Sequence, residues 1–450
     1  MHILEGERLM TLNIFELTHR KLLEQSEAWN LIRFRVGMYF KNTEEESVFP
    51  LPSRWNSLFK LQGIFYGFFH WFRRYDYLFF SATSQRKLIE GYAVDRLCDP
   101  MITQLEQNHQ RVLLIETLNA SRIRPAKSRH IVSMELPSLM IRLIRILGLG
   151  ERIVDIPLKN LINFMDIGRL LRQFQAEAYF YKIFFKVYRP KAIFLVSAYT
   201  KPMMIKVAKL YDINVIEIQH GVINQEHFGY STSIRLKAYT NYTPDSLVTY
   251  GSINVEGMLI SKIVPIGHFY LEHLLKTFIP HPPLLQKIEG YRIRIVVSMQ
   301  NEPWEIEALL VFITCVAKKD STILYLLIPR NDKTIEVPLP PNVRFYQEID
   351  CYHTAMHCDI HVTLYSSCAL ETPSLGIPNL LIDARGFAQR YYQVILDPFH
   401  TKIVSEEGAF MEAVEELLSL DTRAVIAHNQ QLFKSHYTEN IKQFLTPMLS

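Results

Sequence analysis

The segment "VIEIQHGVINQEHFGY", residues 215–230, combines residue types that can do acid–base or phosphate chemistry. An apolar run of strand type ends in Gln219, His220 and Gly221, and a second histidine, His227, follows in a polar loop. A histidine at a strand end can serve as a general base or hold a phosphate. A glycine beside it lets the backbone turn tightly and approach a ligand. The alternative is a capped strand end with a solvated histidine.

A second candidate site lies in "VTLYSSCALETPSLGIPNLLID", residues 362–383. Ser366 and Ser367 follow a strand, and a helix that begins there offers free N–H groups to a phosphate. Glu371, about one turn later, could accept a ribose hydroxyl. Pro373 requires the regular helix to begin late. The alternative is an ordinary serine N-cap.

The segment "CYHTAMHCDIH" raises the question of a metal site. His353 and His357 are spaced i, i+4, and Cys351 and Cys358 flank them. Only two of these side chains would share a helical face, and the chain has no second cysteine pair at metal-ligand spacing. The pattern therefore favours a short surface helix, and no bound metal is expected.

A β-α-β pattern positions the first candidate site. "KAIFLVSAY" (191–199) and "NVIEIQ" (214–219) are typical of strands, and the helix between them has Pro202 in its first turn. Such a unit predicts a parallel sheet with right-handed crossovers. Ligands bind beyond the carboxyl ends of parallel strands, which is where Gln219 and His220 lie.

The alternation restarts after the proline-rich segment "KTFIPHPPLLQKIEGY" (276–291). The next strands are "IRIVVSMQ", "TILYLLIPR", "NVRFYQ", "DIHVTLYSS" and "NLLID", with helical segments between and after them. The sequence therefore predicts an α/β protein of GT-B-like architecture, with two Rossmann-like domains facing a cleft. The expected domains are residues 1–280 and 281–450, with C-terminal helices that pack back across the cleft.

Length and composition agree with two globular domains. The chain has 450 residues, of which 48% are hydrophobic and 21% charged, and its net charge of +4 does not predict nucleic-acid binding. Five cysteines without regular spacing favour a reducing cytosol. The N-terminal residues lack the apolar core of a secretory signal, and no apolar run approaches the roughly 18 residues of a spanning helix.

The segment from Arg54 to Arg74 is rich in aromatic and basic residues. Aromatic stripes usually pack on a core, so the first interpretation is a helix buried against the sheet. The alternative is an interfacial patch that contacts anionic lipid.

Several motifs together resemble those of bacterial capsule and surface-polysaccharide glycosyltransferases of the GT-B type. The resemblance rests on "VIEIQHGVINQEHFGYS", "PDSLVTYG", "VPIGHFYLE", the earlier "YDYLFFSATSQRKLIEGYAVDRLCDP" and the later "SSCALETPSLGIP". These motifs extend from about Tyr75 to Asp383. The Ser-Ser-Glu-Gly-Pro pattern recurs in many GT-B enzymes and sugar-nucleotide epimerases, whereas the QHG segment is more specific.

The resemblance implies transfer of a sugar from a nucleotide sugar to a polysaccharide or lipid-linked glycan. His220 would be the base, with His227 as second candidate. The donor would be held by Gln219 and Gly221 near the base and, in the C-terminal domain, by residues at the second site (Arg330, Ser366, Ser367 and Glu371). No metal or cofactor is expected, because helix dipoles and basic side chains offset the leaving-group charge. A lipid-linked acceptor implies a cytoplasmic protein, attached to the inner membrane through Arg54–Arg74.

One departure from the family pattern concerns Arg330. Relatives carry a His-Pro pair where this chain has Pro329 and Arg330. Arg330 could replace that histidine as a phosphate-binding cation. Alternatively, the donor differs, or the chain is a non-catalytic subunit of capsule assembly. A polyol-phosphate transferase or a sugar-nucleotide 2-epimerase also remains open, because both use the same domains.

Overall fold

The computed structural model describes most of the chain. The described residues are 12, 15–26, 28–42, 63–118, 130–153, 158, 162, 166–224, 227, 229–232, 237–253, 258–260, 262–300, 302–330, 337–392 and 395–449.

The chain forms two compact units. The first comprises Met1–Thr249, Ile253–Ile266 and Thr438–Ser450, and the second comprises Tyr250–Ser252 and Gly267–Tyr437. The expected boundary at residue 280 therefore differs from the observed one, and the C-terminal residues belong to the first unit. The Asn440 side chain donates a hydrogen bond to the Ile266 carbonyl at 3.1 Å, and the Tyr77 hydroxyl donates to the Met448 carbonyl. These contacts attach the last helix to the first sheet and the strand end beside it.

In the described part of the first unit there are nine strands. They are β1 (Tyr77–Ala82), β2 (Arg86–Ile89), β3 (Tyr92–Asp95), β4 (Val112–Thr117), β5 (Ile131–Ser133), β6 (Ala192–Val196), β7 (Asn214–Ile218), β8 (Ser246–Thr249) and β9 (Ile263–Pro265). Seven form a parallel sheet of order β5-β4-β1-β6-β7-β8-β9. Their apolar runs are buried, as expected of a parallel sheet covered on both faces. β2 and β3 form a separate antiparallel hairpin.

Helices connect these strands. They are α1 (Arg20–Gln25), α2 (Trp29–Asn42), α3 (Asp99–Gln107), α4 (Glu135–Ile146), α5 (Ile167–Tyr188) and α6 (Pro202–Leu210). Local sequence explains the bounds of α5. The Asp166 side chain accepts the Arg169 N–H at the start of the helix, and Arg189, in a left-handed conformation before Pro190, ends it. Pro202 occupies the first turn of α6, as predicted.

The second unit repeats the arrangement. Its strands are β10 (Ile293–Ser298), β11 (Ile323–Ile328), β12 (Val343–Phe345), β13 (Ile360–Thr363), β14 (Asn379–Ile382) and β15 (Thr401–Val404). They form a parallel sheet of order β12-β11-β10-β13-β14-β15. The sequence predicted all of these strands except β15. Two Rossmann-like domains are thus confirmed.

The remaining helices follow in chain order. They are α7 (Phe269–Thr277), α8 (Pro282–Ile288), α9 (Pro303–Lys319), α10 (Cys351–Ala355), α11 (Cys368–Glu371), α12 (Phe387–Tyr392), α13 (Glu407–Leu418), α14 (Thr422–Asn429) and α15 (Tyr437–Leu449). Among the described residues, no helix is both long and apolar enough to span a bilayer.

The aromatic segment that includes Phe65 and Phe69 packs only in part as first interpreted. Its described part contains a 3-10 helix, Phe68–Phe72, in which no residue is buried. The interpretation as a segment packed on the core therefore holds for Trp71, which packs against the core, and is wrong for Phe65, Phe69 and Phe72, which are exposed. Residues 54–62 of the same segment lie outside the described residues.

Candidate active site

The first sheet has a topological switch point between β1 and β6. The chain continues from β1 to β4 on one side and later adds β6 on the other side. In open parallel sheets, ligands bind at the carboxyl ends of the strands at such a point. Ser197 directly follows β6, and His220 follows β7, the next strand in the sheet. The candidate catalytic residue therefore lies at the edge where a ligand is expected.

His220 is held at one ring nitrogen only. Its Nε2 lies 3.0 Å from the Ser197 hydroxyl and 3.4 Å from the Tyr199 hydroxyl. Its Nδ1 is buried and has no hydrogen-bond partner among the described residues. The arrangement orients the imidazole and leaves one nitrogen for a further bond.

The pKa of His220 differs from the ordinary histidine value of 6.5. Burial lowers the pKa of His220 to about 3. The neighbouring His227 and the positive charges of Lys201 and Arg96 also lower this pKa. The imidazole is therefore neutral at cytosolic pH, but it is a weaker base than an ordinary histidine.

The backbone at Ser197 is unusual for a serine. Its φ and ψ of 59° and 57° lie in the left-handed region, which typically costs a non-glycine residue about 1–2 kcal/mol. The turn brings the Ser197 hydroxyl within reach of His220 and leads into a 3-10 helix, Ala198–Thr200. A strained residue at a strand end beside a histidine marks this edge as a functional candidate.

Glu217 is an acid–base candidate that the sequence analysis missed. Its Oε1 accepts the Ala198 N–H at 2.8 Å and the Tyr230 hydroxyl at 2.8 Å, while its Oε2 is buried without a partner. Burial raises the pKa of Glu217 to about 7, although both hydrogen bonds lower it. Glu217 also lines a cavity of about 50 Å³. The sequence signal that could have identified Glu217 is a charged residue within an otherwise apolar strand.

Two cations lie close enough to affect this edge. Burial lowers the pKa of Lys201 to about 8, and the Glu217 carboxylate opposes that shift. Lys201 Nζ donates to the Val196 carbonyl at 2.8 Å. Arg96 is buried and lowers the pKa of His220 through its charge. The site thus carries positive charge suited to an anionic ligand.

Gln219 and Gly221 shape the strand end. The Gln219 amide side chain donates to the Gly221 carbonyl at 2.9 Å, and its backbone N–H donates to the Val248 carbonyl at 2.9 Å. Gly221 does not have the positive φ that a glycine-specific turn requires, so the predicted reason for this glycine is not supported. A Cβ there would meet no atom within 4 Å, so the site is open around Gly221.

His227 lies near the same site. Its ring centroid is 5.1 Å from that of Tyr199 and 4.8 Å from that of Tyr230, and its Nδ1 accepts the Gly229 N–H at 3.1 Å. Tyr199 also lies 6.1 Å, centroid to centroid, from His220. The structure therefore brings both predicted histidines around one tyrosine.

The motif after β1 forms a buried ionic cluster. Arg86 pairs with Glu116, and Ser81 donates to Asp95 at 2.5 Å. Burial raises the pKa of Glu116 to about 7, although Arg86 lowers it. Asp95 also accepts the N–H groups of residues 97 and 98, both at 2.9 Å. These bonds fix the loop that contains Arg96.

The second sheet has its own switch point between β10 and β13. Gln300 follows β10 there, and its Nε2 is buried without a partner. The sequence analysis did not select this residue. The N-terminus of α9, which comes next, is closed by a reciprocal capping box of Glu302 and Glu305. Two carboxylates at that position disfavour a phosphate.

Ser366, Ser367 and Glu371 flank the turn after β13. The Ser366 hydroxyl accepts the Cys368 N–H at 3.4 Å, and α11 contains only Cys368–Glu371 before a 3-10 turn that begins next to Pro373. The two serines are partly exposed. Glu371 instead is buried.

The surroundings of Glu371 are polar. Its carboxylate accepts a hydrogen bond from the Tyr352 hydroxyl and lies 3.8 Å from His268 Nε2. The predicted contact with a ribose requires a ligand to reach this buried group. Arg330 follows β11 and is exposed at the carboxyl edge of the same sheet.

His353 in α10 and His357, two residues after its end, have hydrogen bonds to the backbone. His353 Nε2 is 3.1 Å from the Ile279 carbonyl, and His357 Nε2 accepts the His281 N–H at 3.2 Å. Within the described residues, no group of three or more histidine, cysteine or acidic side chains could hold a metal ion.

Comparisons with known proteins identify the fold. No protein-family model matches the chain, and no curated protein matches its sequence. The glycosyltransferase of kitacinnamycin is 11% identical, with a TM-score of 0.52 over 84% of this chain and 100% of that chain. The glycosyltransferase SnogD from Streptomyces nogalater is 15% identical, with a TM-score of 0.53 over 84% of this chain and 100% of that chain. The calicheamicin glycosyltransferase CalG4 is 12% identical, with a TM-score of 0.50 over 84% of this chain and 98% of that chain. The chain thus has the two Rossmann-like domains of the GT-B fold.

Proposed function

We propose that the chain is a glycosyltransferase that moves a sugar from a nucleotide sugar to a surface polysaccharide or lipid-linked oligosaccharide, as in capsule or O-antigen assembly. The observation that carries this proposal is the His220 site. Its imidazole stands at the carboxyl end of a parallel strand, is oriented by Ser197 and keeps Nδ1 without a partner. A neutral, oriented imidazole suits the removal of a proton from an acceptor hydroxyl.

In the proposed reaction, the acceptor oxygen attacks the anomeric carbon and the bond to the nucleotide breaks. The acceptor proton passes to His220. A phosphate-bearing ligand beside Lys201 and Arg96 would offset their charges and raise the pKa of His220, because opposite charges favour the protonated imidazole. Glu217 is the second candidate for the base, since its pKa of about 7 is closer to cytosolic pH.

The donor is proposed to bind the second unit at the turn after β13. Ser366 and Ser367 are partly exposed there, and Arg330 is exposed at the same edge of the sheet. The capping box of α9 supports this choice, because its carboxylates make the neighbouring helix start unfavourable for phosphate. The unpartnered amide of Gln300 adds a hydrogen-bond donor at the switch point.

The proposal includes peripheral attachment to the cytoplasmic face of the inner membrane. A lipid-linked acceptor meets a soluble nucleotide sugar at that surface. The exposure of Phe65, Phe69 and Phe72 beside Arg73 and Arg74 supports this placement.

A polyol-phosphate transferase is the second candidate. Lys201 and Arg96 are the cations that lie beside His220. They favour a polyol-phosphate transferase, because such an enzyme handles a phosphate at the reacting centre. The transferred group would then be a polyol phosphate from a CDP-activated donor.

A donor panel separates the two candidates. Purified protein is incubated with UDP-, GDP-, CMP- and CDP-activated donors, and binding and nucleotide release are measured. We expect a UDP-, GDP- or CMP-sugar to bind and to be consumed when a glycan acceptor is added. Consumption of a CDP-polyol alone would replace sugar transfer by the second candidate, and binding of no donor would contradict both.

Glu371→Ala tests the donor half. We expect weaker donor binding and little change in saturated turnover, because the predicted partner of Glu371 is a ribose hydroxyl. The variant removes a buried carboxylate that is bonded to Tyr352, so its thermal stability is compared with that of Tyr352→Phe. Normal donor affinity in a folded Glu371→Ala protein would contradict the assignment.

A further inference from the structure

The first unit exposes a stripe of phenylalanines. Phe65, Phe69 and Phe72 are 67%, 82% and 74% exposed, and the last two lie one turn apart in the 3-10 helix Phe68–Phe72. The face opposite them packs on the protein, since Trp71 contacts Phe184 at a ring-centroid distance of 6.1 Å. Three exposed rings in one short segment are uncommon on a soluble surface.

A second stripe lies on α4. Leu139, Leu143, Ile146 and Leu147 are exposed at helical spacing, whereas Ile141 on the other face is buried. Ile146 is 70% exposed. The helix therefore has more apolar surface than its packing on the protein uses.

A third stripe lies on α5, which connects the other two. Tyr179, Ile183 and Val187 are exposed at i, i+4, i+8. The α4 residue Arg145 donates to Gln173 of α5 at 2.9 Å. The Tyr188 hydroxyl at the other end of α5 donates to the carbonyl of the residue before Phe72. The three elements are thus neighbours in the folded unit.

Exposed cations flank the stripes. Arg73 and Arg74 follow the phenylalanines, Arg142 lies on α4, and Lys186 and Arg189 lie at the end of α5. Glu151, the exposed acid after α4, is paired with Lys182 at 2.9 Å. Apolar residues beside a surplus of positive charge match the surface of an anionic lipid bilayer, in which negative headgroups cover an apolar interior.

We propose that these three stripes, called here the docking face, form one interfacial surface that seats the protein on an anionic lipid bilayer. The phenyl rings and the aliphatic side chains of α4 and α5 enter the boundary between headgroups and acyl chains. The cations contact lipid phosphates. The proposal rests on the membrane attachment of the proposed function and deepens it, because it assigns α4 and α5 to membrane contact; vesicle binding itself requires no donor or acceptor.

Positive charge favours lipid over a second copy of the chain as the occupant. Two docking faces brought together would place Arg142, Lys186 and their neighbours against like charges. An anionic bilayer instead attracts each of them, and the attraction falls with added salt.

Vesicle binding tests the docking face. The full chain is mixed with vesicles of equimolar phosphatidylglycerol and phosphatidylcholine, or of phosphatidylcholine alone, and the bound fraction is measured by flotation. The variants Ile146→Glu and Phe69→Glu change different elements of the docking face. If one variant fails to fold, the other still tests the docking face. Ile279→Glu is the matched control, since Ile279 is 74% exposed in the second unit.

We expect the wild-type protein to bind the anionic vesicles and to release them at high salt. Ile146→Glu and Phe69→Glu should each weaken binding by about tenfold or more, because they remove apolar burial and add a charge that the surface repels. Ile279→Glu should bind like the wild type. Combined Arg142→Ala and Lys186→Ala should also weaken binding by about tenfold, and only to anionic vesicles.

Three results would overturn the proposal. The first is no wild-type binding to the anionic vesicles, and the second is an equal loss in Ile279→Glu. The third is a wild-type dimer that Ile146→Glu converts to a monomer in sedimentation, which would assign the face to self-association. These results would remove the membrane attachment but not the sugar transfer, which the donor panel tests, so the two failures are distinguishable.

Discussion

Glu217→Gln should change the pH dependence of stability in the first unit. Burial raises the pKa of the carboxyl from its ordinary value of 4.5 to about 7 in the folded protein. The folded state therefore holds this proton more tightly than the unfolded chain. The stability that results is fully present below pH 4.5 and is lost as the pH rises through 7. A shift of this size corresponds to about 3 kcal/mol.

Glutamine fits the site with little geometric change. Its Oε1 can accept the same Ala198 N–H and Tyr230 hydroxyl as the carboxylate does. Its amino group takes the position of Oε2, which has no partner, and a buried unpaired donor costs about 1 kcal/mol. The variant should therefore be about 2 kcal/mol more stable than the wild type at pH 8, whereas at pH 5, where the unfolded carboxyl is already mostly ionised, the two proteins should be about equally stable.

Hydrogen exchange is the suitable assay, because two units need not unfold in one transition. Protection of the β7 amides is measured at pH 5 and pH 8 in the wild type and in Glu217→Gln. Glu151→Gln, which alters an exposed ion pair with Lys182, should change little at either pH. If Glu217→Gln were no more stable than the wild type at pH 8, burial would not disfavour the carboxylate and the reasoning would be wrong.

The other predictions concern the ionic cluster and one glycine. Arg86→Met should destabilise the first unit by about 3 kcal/mol at pH 8, because it leaves the Glu116 carboxylate buried without its partner cation. The loss should be smaller at pH 5, where the Glu116 carboxyl takes up a proton. Equal losses of stability at the two pH values in denaturant titrations would contradict this prediction. Gly376→Ala should cost more than Gly290→Ala in the second unit. Both glycines have positive φ, but only at Gly376 would the added carbon lie 2.2 Å from Thr422. Similar melting temperatures for the two variants would refute the clash.

Local patterns were sufficient to predict most strands and the position of His220. The alternation of strands and helices specifies parallel sheets, and the carboxyl end of β7 is then fixed by the sequence. The β2–β3 hairpin was missed, although Glu90 and Gly91, both with positive φ, carry a turn signal. β15 was missed because four residues with polar ends give little periodicity.

The environment of the site depended on contacts that the sequence does not show. Glu217 bonds to Ala198 and Tyr230, which are 19 and 13 residues away. The low pKa of His220 likewise comes from burial and from groups on other elements. Exposure of Phe69 was also unpredictable, since an aromatic stripe has the same spacing whether it faces a core or solvent.

The most direct test of the proposed function compares wild type and His220→Ala with the donor found in the panel. Calorimetry gives the donor affinity of both proteins, and nucleotide release in the presence of acceptor gives turnover. The account predicts similar donor affinity and a turnover about 10²–10⁴-fold lower in His220→Ala. Turnover of His220→Ala close to that of the wild type would contradict the assignment of His220 as the base and would direct the search to Glu217 and His227.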